Sequence, residues 1–206
     1  MTPTTHAPEP WLRPPMVVKV GGSLFNWPEL KQRLQQYVAT LAGKTVVLIP
    51  GGGKAADVVR DLDRTHGLGE EPAHWLALHA LTVNAHFLSE LLSGVRVVEG
   101  LNASRSAWRR GGLTVLDPFR FARGDESRPD HLPHAWDATS DSLAARVARV
   151  AEAERLILLK SASMPSGCDW AAAAKSGYVD PLFPAAVSGA AFTVDAINLC
   201  EWRPPA

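Results

Sequence analysis

The chain has 206 residues, 46% of them hydrophobic, with 21 basic and 21 acidic residues and a formal net charge of +0. That length suits one ordinary domain with a real core, and balanced charge with no basic stripe or aromatic–basic interleaving argues against a nucleic-acid partner. The longest apolar runs fall far short of a membrane span, and Cys168 and Cys200 lack CxxC spacing, so a cytoplasmic protein in a reducing compartment is expected.

Residues 1–15 are proline-rich and almost uncharged, without an apolar h-region, and read as a disordered leader before a single domain over 16–206. Met16-Val17-Val18-Lys19-Val20 has strand composition and runs into Gly21-Gly22-Ser23. Trp27, Leu30, Leu34, Tyr37, Val38 and Leu41 recur at three and four, predicting a helix over 27–41 that ends at Gly43. A second strand over 45–49 runs through Pro50 into Gly51-Gly52-Gly53 and Lys54. Helices are predicted over 54–65 and 71–92, the latter with Pro72 in its first turn. Short strands are expected at 96–98 and 113–116, with a helical segment between 102 and 110. Residues 117–135 carry three prolines, a charged patch and no period, and read as a long functional loop. A helix opens at Thr139 or Ser140, and Leu156-Ile157-Leu158-Leu159 is a strand buried on both faces with Lys160 at its end. A short alanine helix at 170–175 and a last strand within 192–199 complete the chain. Strands alternating with helices predict a three-layer α/β/α sandwich around a mainly parallel sheet, with ligands beyond the carboxyl ends of the strands.

A strand that ends in glycines and turns into a helix presents bare amides and the positive end of the helix dipole, which suits an anion. Two such loops, with Lys19 in the first strand and Lys54 after the second loop, point to a polyphosphate ligand. A lysine within an apolar strand is costly unless its ammonium is paired; a water-facing edge strand is the alternative reading of Lys19. Thr139-Ser140-Asp141-Ser142 reads either as an ordinary helix cap or as a place where Asp141 lies between two lysines and fixes their ammonium groups. Such equipment suits phosphoryl transfer, which asks for alignment and positive charge rather than covalent work by the protein. No serine or cysteine nucleophile constellation is visible. His74, His79 and His86 lack zinc-site helix spacing, and His131 and His134 share a proline-broken loop, so no metal site is expected. Gly43-Lys44-Thr45 is not a P-loop, because Val38 stands where the first glycine belongs. Gly51-Gly52-Gly53-Lys54-Ala55-Ala56 fits a dinucleotide fingerprint but has no acidic partner strand, which leaves a dinucleotide-dependent oxidoreductase as an alternative.

With those residues in hand, the chain resembles the amino acid kinase family. The segments that carry the likeness are Val18 to Ser23, Ile49 to Gly53, Thr139 to Ala145 and the strand ending in Lys160. Within that family it looks most like the small furan phosphate kinases of methanofuran biosynthesis, through residues 73–78, 132–136 and 177–180. The resemblance implies that Lys19, Asp141 and Lys160 are catalytic. Gly21, Gly22, Ser23, Ser140 and Lys160 would hold the nucleotide phosphates, and Gly51, Gly52, Gly53 and Lys54 the acceptor. It implies ATP, with Mg²⁺ carried on the nucleotide. The acceptor half would be 16–117 and a shortened nucleotide half 136–206, with Lys175 as an alternative second cation. A phosphate-monoester acceptor is expected, with a carboxylate acceptor or a non-catalytic nucleotide-binding protein as alternatives. A homodimer or higher homo-oligomer is implied as well, and Trp75, Trp108 and Trp202 read as interface or core residues.

Overall fold

The computed structural model describes residues 14–101 and 112–204. The leader up to residue 13 and the helical segment expected at 102–110, with Trp108, lie outside the described residues. Six strands form one sheet in the order β3-β4-β2-β1-β5-β6: β1 Met16–Val20, β2 Val46–Pro50, β3 Arg96–Val98, β4 Leu113–Leu116, β5 Arg155–Lys160 and β6 Thr193–Asn198. Every pairing is parallel. The chain therefore returns through a crossover after each strand, which is what places helices on both faces.

β1 lies in the middle, with Val17 level with Val47 on one side and Leu156 on the other. Alternate residues feed two separate cores. Val17, Val47, Ile49, Leu156 and Leu158 join one, and Met16, Val18, Val20, Leu48, Ile157 and Leu159 the other. The period of two in the strands thus fills both faces with β-branched and leucine side chains. The second core is covered by α1 (Leu30–Ala39) and by Ala85 and Leu88 of α3 (Glu70–Leu91). The first is covered by α5 (Ser140–Val150), whose residues 140–148 are all buried, together with Ala56 of α2 (Gly53–His66).

Residues 117–135 depart from expectation. They open with a helix, α4 (Pro118–Asp125), rather than running as a loop. The start signal is local: Pro118 occupies the first turn and the Asp117 side chain accepts from the Arg120 amide at 3.1 Å. Its buried residues include Phe121, which joins the core beside α5. A 3₁₀ turn at Gly22–Asn26 after β1 and α7 at Phe183–Val187 are likewise unanticipated, while α6 (Trp170–Lys175) matches the alanine helix.

Candidate active site

β1 and β5 are neighbours in register, so Lys19 and Lys160 emerge near the same carboxyl end of the sheet. Lys19 shares its side of the strand with Val17, the side on which α5 packs. Asp141, in the first turn of α5, meets both ammonium groups. Lys19 Nζ lies 2.7 Å from Asp141 Oδ1, and Lys160 Nζ lies 2.7 Å from Oδ2. Lys19 is 4% exposed, so its charge is sequestered in the fold rather than turned to water as an edge-strand lysine would be. Burial works against the Asp141 carboxylate, but the Lys19 and Lys160 charges outweigh it and hold its pKa below the ordinary value. Burial, followed by repulsion from Lys19, lowers the Lys160 pKa to about 8 despite the Asp141 carboxylate. One carboxylate between two ammonium groups leaves a net positive charge in a water-poor place.

The loop after β5 secures that arrangement. Lys160 Nζ also donates to the Tyr178 carbonyl at 2.7 Å. Thr139, at the N-cap of α5, does not cap the helix with its own side chain. Asp180 does so instead. Its carboxylate accepts from Thr139 Oγ1 at 2.7 Å, from the Ser142 amide at 2.9 Å and from the Ser142 hydroxyl. Lys175 is exposed at the end of α6, so it is Lys160, and not Lys175, that reaches Asp141.

The two glycine loops touch backbone to backbone. A Cβ on Gly22 would fall 2.2 Å from the Gly53 nitrogen, and one on Gly51 would fall 2.3 Å from the Gly22 nitrogen. The Gly21 amide donates to Leu159 O and the Gly51 amide to Val20 O, both at 2.8 Å. Those two amides extend the sheet, and Gly22, Ser23, Gly52 and Gly53 are left facing the cavity. The opening turn of α2 has no intrahelical acceptor for its first amides. Sequence reasoning missed Asn84, buried in α3, whose side-chain amide donates to Gly51 O at 2.8 Å and to Gly52 O at 2.7 Å. Ser23 Oγ lies 2.8 Å from Ser161 Oγ, linking the first loop to the end of β5. Lys54 is exposed and does not line the cavity.

A cavity of about 310 Å³ begins at those loops and at Ser140. Its lining also includes Arg60 of α2, His74 of α3 and Arg146 of α5, with His131 and His134 from the stretch that the sequence left without structure. Arg146 is held by Asp125 through two contacts, at 2.6 and 3.1 Å. His74 is buried and stacks on His134 at 5.1 Å, and burial followed by the His134 charge lowers its pKa. Trp75 packs edge-on to His134 and Phe119, with the Arg123 guanidinium 4.3 Å over its ring. Trp202 likewise packs on Tyr37 within the chain.

Comparison with known proteins places this geometry in context. The chain is 27% identical over 143 residues to the [5-(aminomethyl)furan-3-yl]methyl phosphate kinase of Methanocaldococcus jannaschii, covering 69% of this chain and 63% of that protein. It is 24% identical over 150 residues to the uridylate kinase of Thermoplasma volcanium, covering 71% of this chain and 60% of that one. The matches thus span about three fifths of these curated relatives. The crystal structure of uridylate kinase from Archaeoglobus fulgidus superposes with a TM-score of 0.63 at 17% identity, over 89% of this chain and 90% of that one, and shares the fold. The sequence profile of the amino acid kinase family matches residues 14–163, from just before β1 to just past Lys160. With most of its length inside that match, the chain belongs to the amino acid kinase family.

Proposed function

We propose that this protein is an ATP-dependent phosphotransferase whose acceptor is a small phosphate monoester. An aminomethylfuran-methyl phosphate, as named for the Methanocaldococcus relative, is the leading candidate. The observation that carries the reading is the buried Lys19–Asp141–Lys160 cluster, set beside two contacting glycine loops that open onto a cavity. The donors beside the loops are amides, hydroxyls and ammonium groups, a set that fits phosphate oxygens. ATP supplies the transferring phosphoryl group, with Mg²⁺ on its phosphates. Gly22, Ser23 and Ser140 hold nucleotide oxygens, and Gly52 and Gly53 direct amides at the acceptor side. Lys19 and Lys160 keep positive charge where equatorial oxygens gain it, and Asp141 stops the two cations from moving apart. Arg60 and Arg146, each paired with a carboxylate of the lining, offer their remaining N–H groups to the anionic end of the acceptor. In this reading residues 16–117 form the acceptor half, 118–135 add its outer wall, and 136–206 form the nucleotide half.

ADP release from ATP with a panel of phosphate monoesters tests the reading. Lys19→Ala is expected to lower turnover at least about 100-fold, the scale of losing one electrostatic contact to a transition state. Unchanged turnover in that variant would refute the assigned phosphate site. A hydroxamate on trapping with hydroxylamine would move the acceptor to the carboxylates. Nucleotide binding by calorimetry without turnover on any acceptor would make the protein a binder of the same fold. The proposal includes a cytoplasmic workplace; among the described residues no helix is long and apolar enough to cross a membrane. It also includes a homodimer, with the exposed Leu76, Val83 and Phe87 of α3 as its contact stripe.

A further inference from the structure

Glu126, His131 and His134 converge at the outer wall of the cavity, each offering a ligand atom within 4.8 Å of the others. They lie at the end of α4 and in the loop after it, the stretch whose prolines conceal any pattern in the sequence. We propose that these three side chains bind a borderline divalent transition ion, Zn²⁺ foremost, with an open coordination position facing the cavity.

The donor chemistry selects the ion. Two imidazoles and one carboxylate suit zinc and its late first-row neighbours, whereas Mg²⁺ and Ca²⁺ ask for oxygen ligands. The outer contacts already orient both rings. His134 Nδ1 lies 3.4 Å from the Glu71 carboxylate, and His131 Nδ1 lies 3.0 Å from the Leu132 carbonyl. In the metal-bound state those nitrogens would carry the proton and Nε2 of each ring would be the lone-pair donor, the usual arrangement of a ligating histidine and its supporting oxygen. Without metal, His134 Nε2 donates to Glu126 Oε1 at 2.8 Å, so an incoming ion takes the place of that hydrogen, which moves to Nδ1 opposite Glu71. Tetrahedral zinc with bonds near 2.1 Å sets ligand atoms roughly 3.3 Å apart. Binding therefore opens that pair slightly and draws in the exposed His131.

The loop is held at both ends, so little ordering remains to be done. Arg146 grips Asp125 at the last residue of α4, and Trp136 Nε1 donates to Asp63 of α2 at 2.9 Å. Turn hydrogen bonds from the His131 amide to Arg128 O and from the Ala135 amide to Pro133 O fix the backbone between. Three protein ligands leave a fourth position, and a phosphate or carboxylate oxygen of a molecule in the cavity is its natural occupant. Metal binding stands independently of the kinase reading; the capture of an acceptor oxygen rests on it.

Titration of the untagged full-length chain with Zn²⁺ by calorimetry, and with Co²⁺ by visible absorption, tests this without ATP or turnover. One equivalent is expected to bind, with the intense d–d bands of a four-coordinate cobalt site. His131→Ala and His134→Gln are each expected to weaken binding at least about tenfold, and Glu71→Gln about tenfold through the orientation of His134. His131 is exposed, so its replacement leaves folding intact, as circular dichroism would verify. Inorganic phosphate is expected to shift the cobalt spectrum, and an unshifted spectrum would overturn the open position. No saturable binding at micromolar metal, or equal binding by the double variant His131→Ala/His134→Gln, would overturn the site. Failure of the kinase reading looks different: turnover indifferent to Lys19→Ala, with zinc still bound.

Discussion

Lys160 sits against a carboxylate, yet burial and the Lys19 ammonium lower its pKa to about 8 from the ordinary 10.5. In the free protein its charge is therefore lost as pH rises through about 8. A bound polyphosphate favours the charged form, so nucleotide binding takes up a proton at and above that pH. ATP affinity is expected to be flat below pH 7 and to fall as pH climbs from 8 to 9, approaching tenfold per unit, when measured by calorimetry across buffers. Lys160→Arg keeps the charge and is expected to flatten the profile; an unchanged basic limb in that variant would remove Lys160 from the nucleotide site. The same group has an opposite effect on folding. The unfolded lysine holds its proton up to about 10.5, so between about 8 and 10.5 the unfolded state binds more protons and this group's contribution to stability rises with pH. Lys19, Asp141 and Lys160 could be read in the sequence because each stands in an ordered local context, a strand or a helix start. Asn84 could not. Three residues after Leu81 and four before Leu88 it lies on the buried face of α3, but its partners are carbonyls more than thirty positions earlier, which no local pattern reveals.

The second glycine loop depends on that asparagine, because two of its carbonyls accept from one side chain. Asn84→Ala leaves both carbonyls without this donor, the one on Gly51 in a buried place. A loss of about 1–3 kcal/mol is expected in urea unfolding, together with a raised acceptor KM and a smaller change in the KM for ATP. Equal effects on both Michaelis constants would mean that the asparagine supports the fold generally rather than this loop. The glycines were legible as anion-binding turns, but the structure gives them a further cause: the loops approach so closely that any Cβ at Gly22 or Gly51 would strike backbone. Strands were the easiest elements to read, since a parallel sheet covered on both faces turns them into unbroken apolar runs. α4 was hidden for the opposite reason. Its eight residues carry charges and a glycine, and only the Asp117–Pro118 start betrays it.

Across the whole molecule the sheet sorts apolar residues into two cores, and some apolar side chains remain outside both. Val58, Leu62, Leu76, Val83 and Phe87 are exposed on the adjoining α2 and α3. Sedimentation is expected to show a homodimer, and Val83→Lys is expected to shift it to monomer without lowering the melting temperature of the isolated chain. A wild-type monomer at micromolar concentration would end that expectation. Of the tryptophans first weighed for this role, Trp75 and Trp202 are occupied within their own chain. The match to the family's sequence profile ends at residue 163, whereas mechanical dependence runs further. The Tyr178 carbonyl steadies one cation, and Asp180 staples down the helical turn that bears the shared anion. Cutting the chain where similarity fades would spare the lysines, the aspartate and both glycine turns, yet leave them without the brace that keeps them aimed.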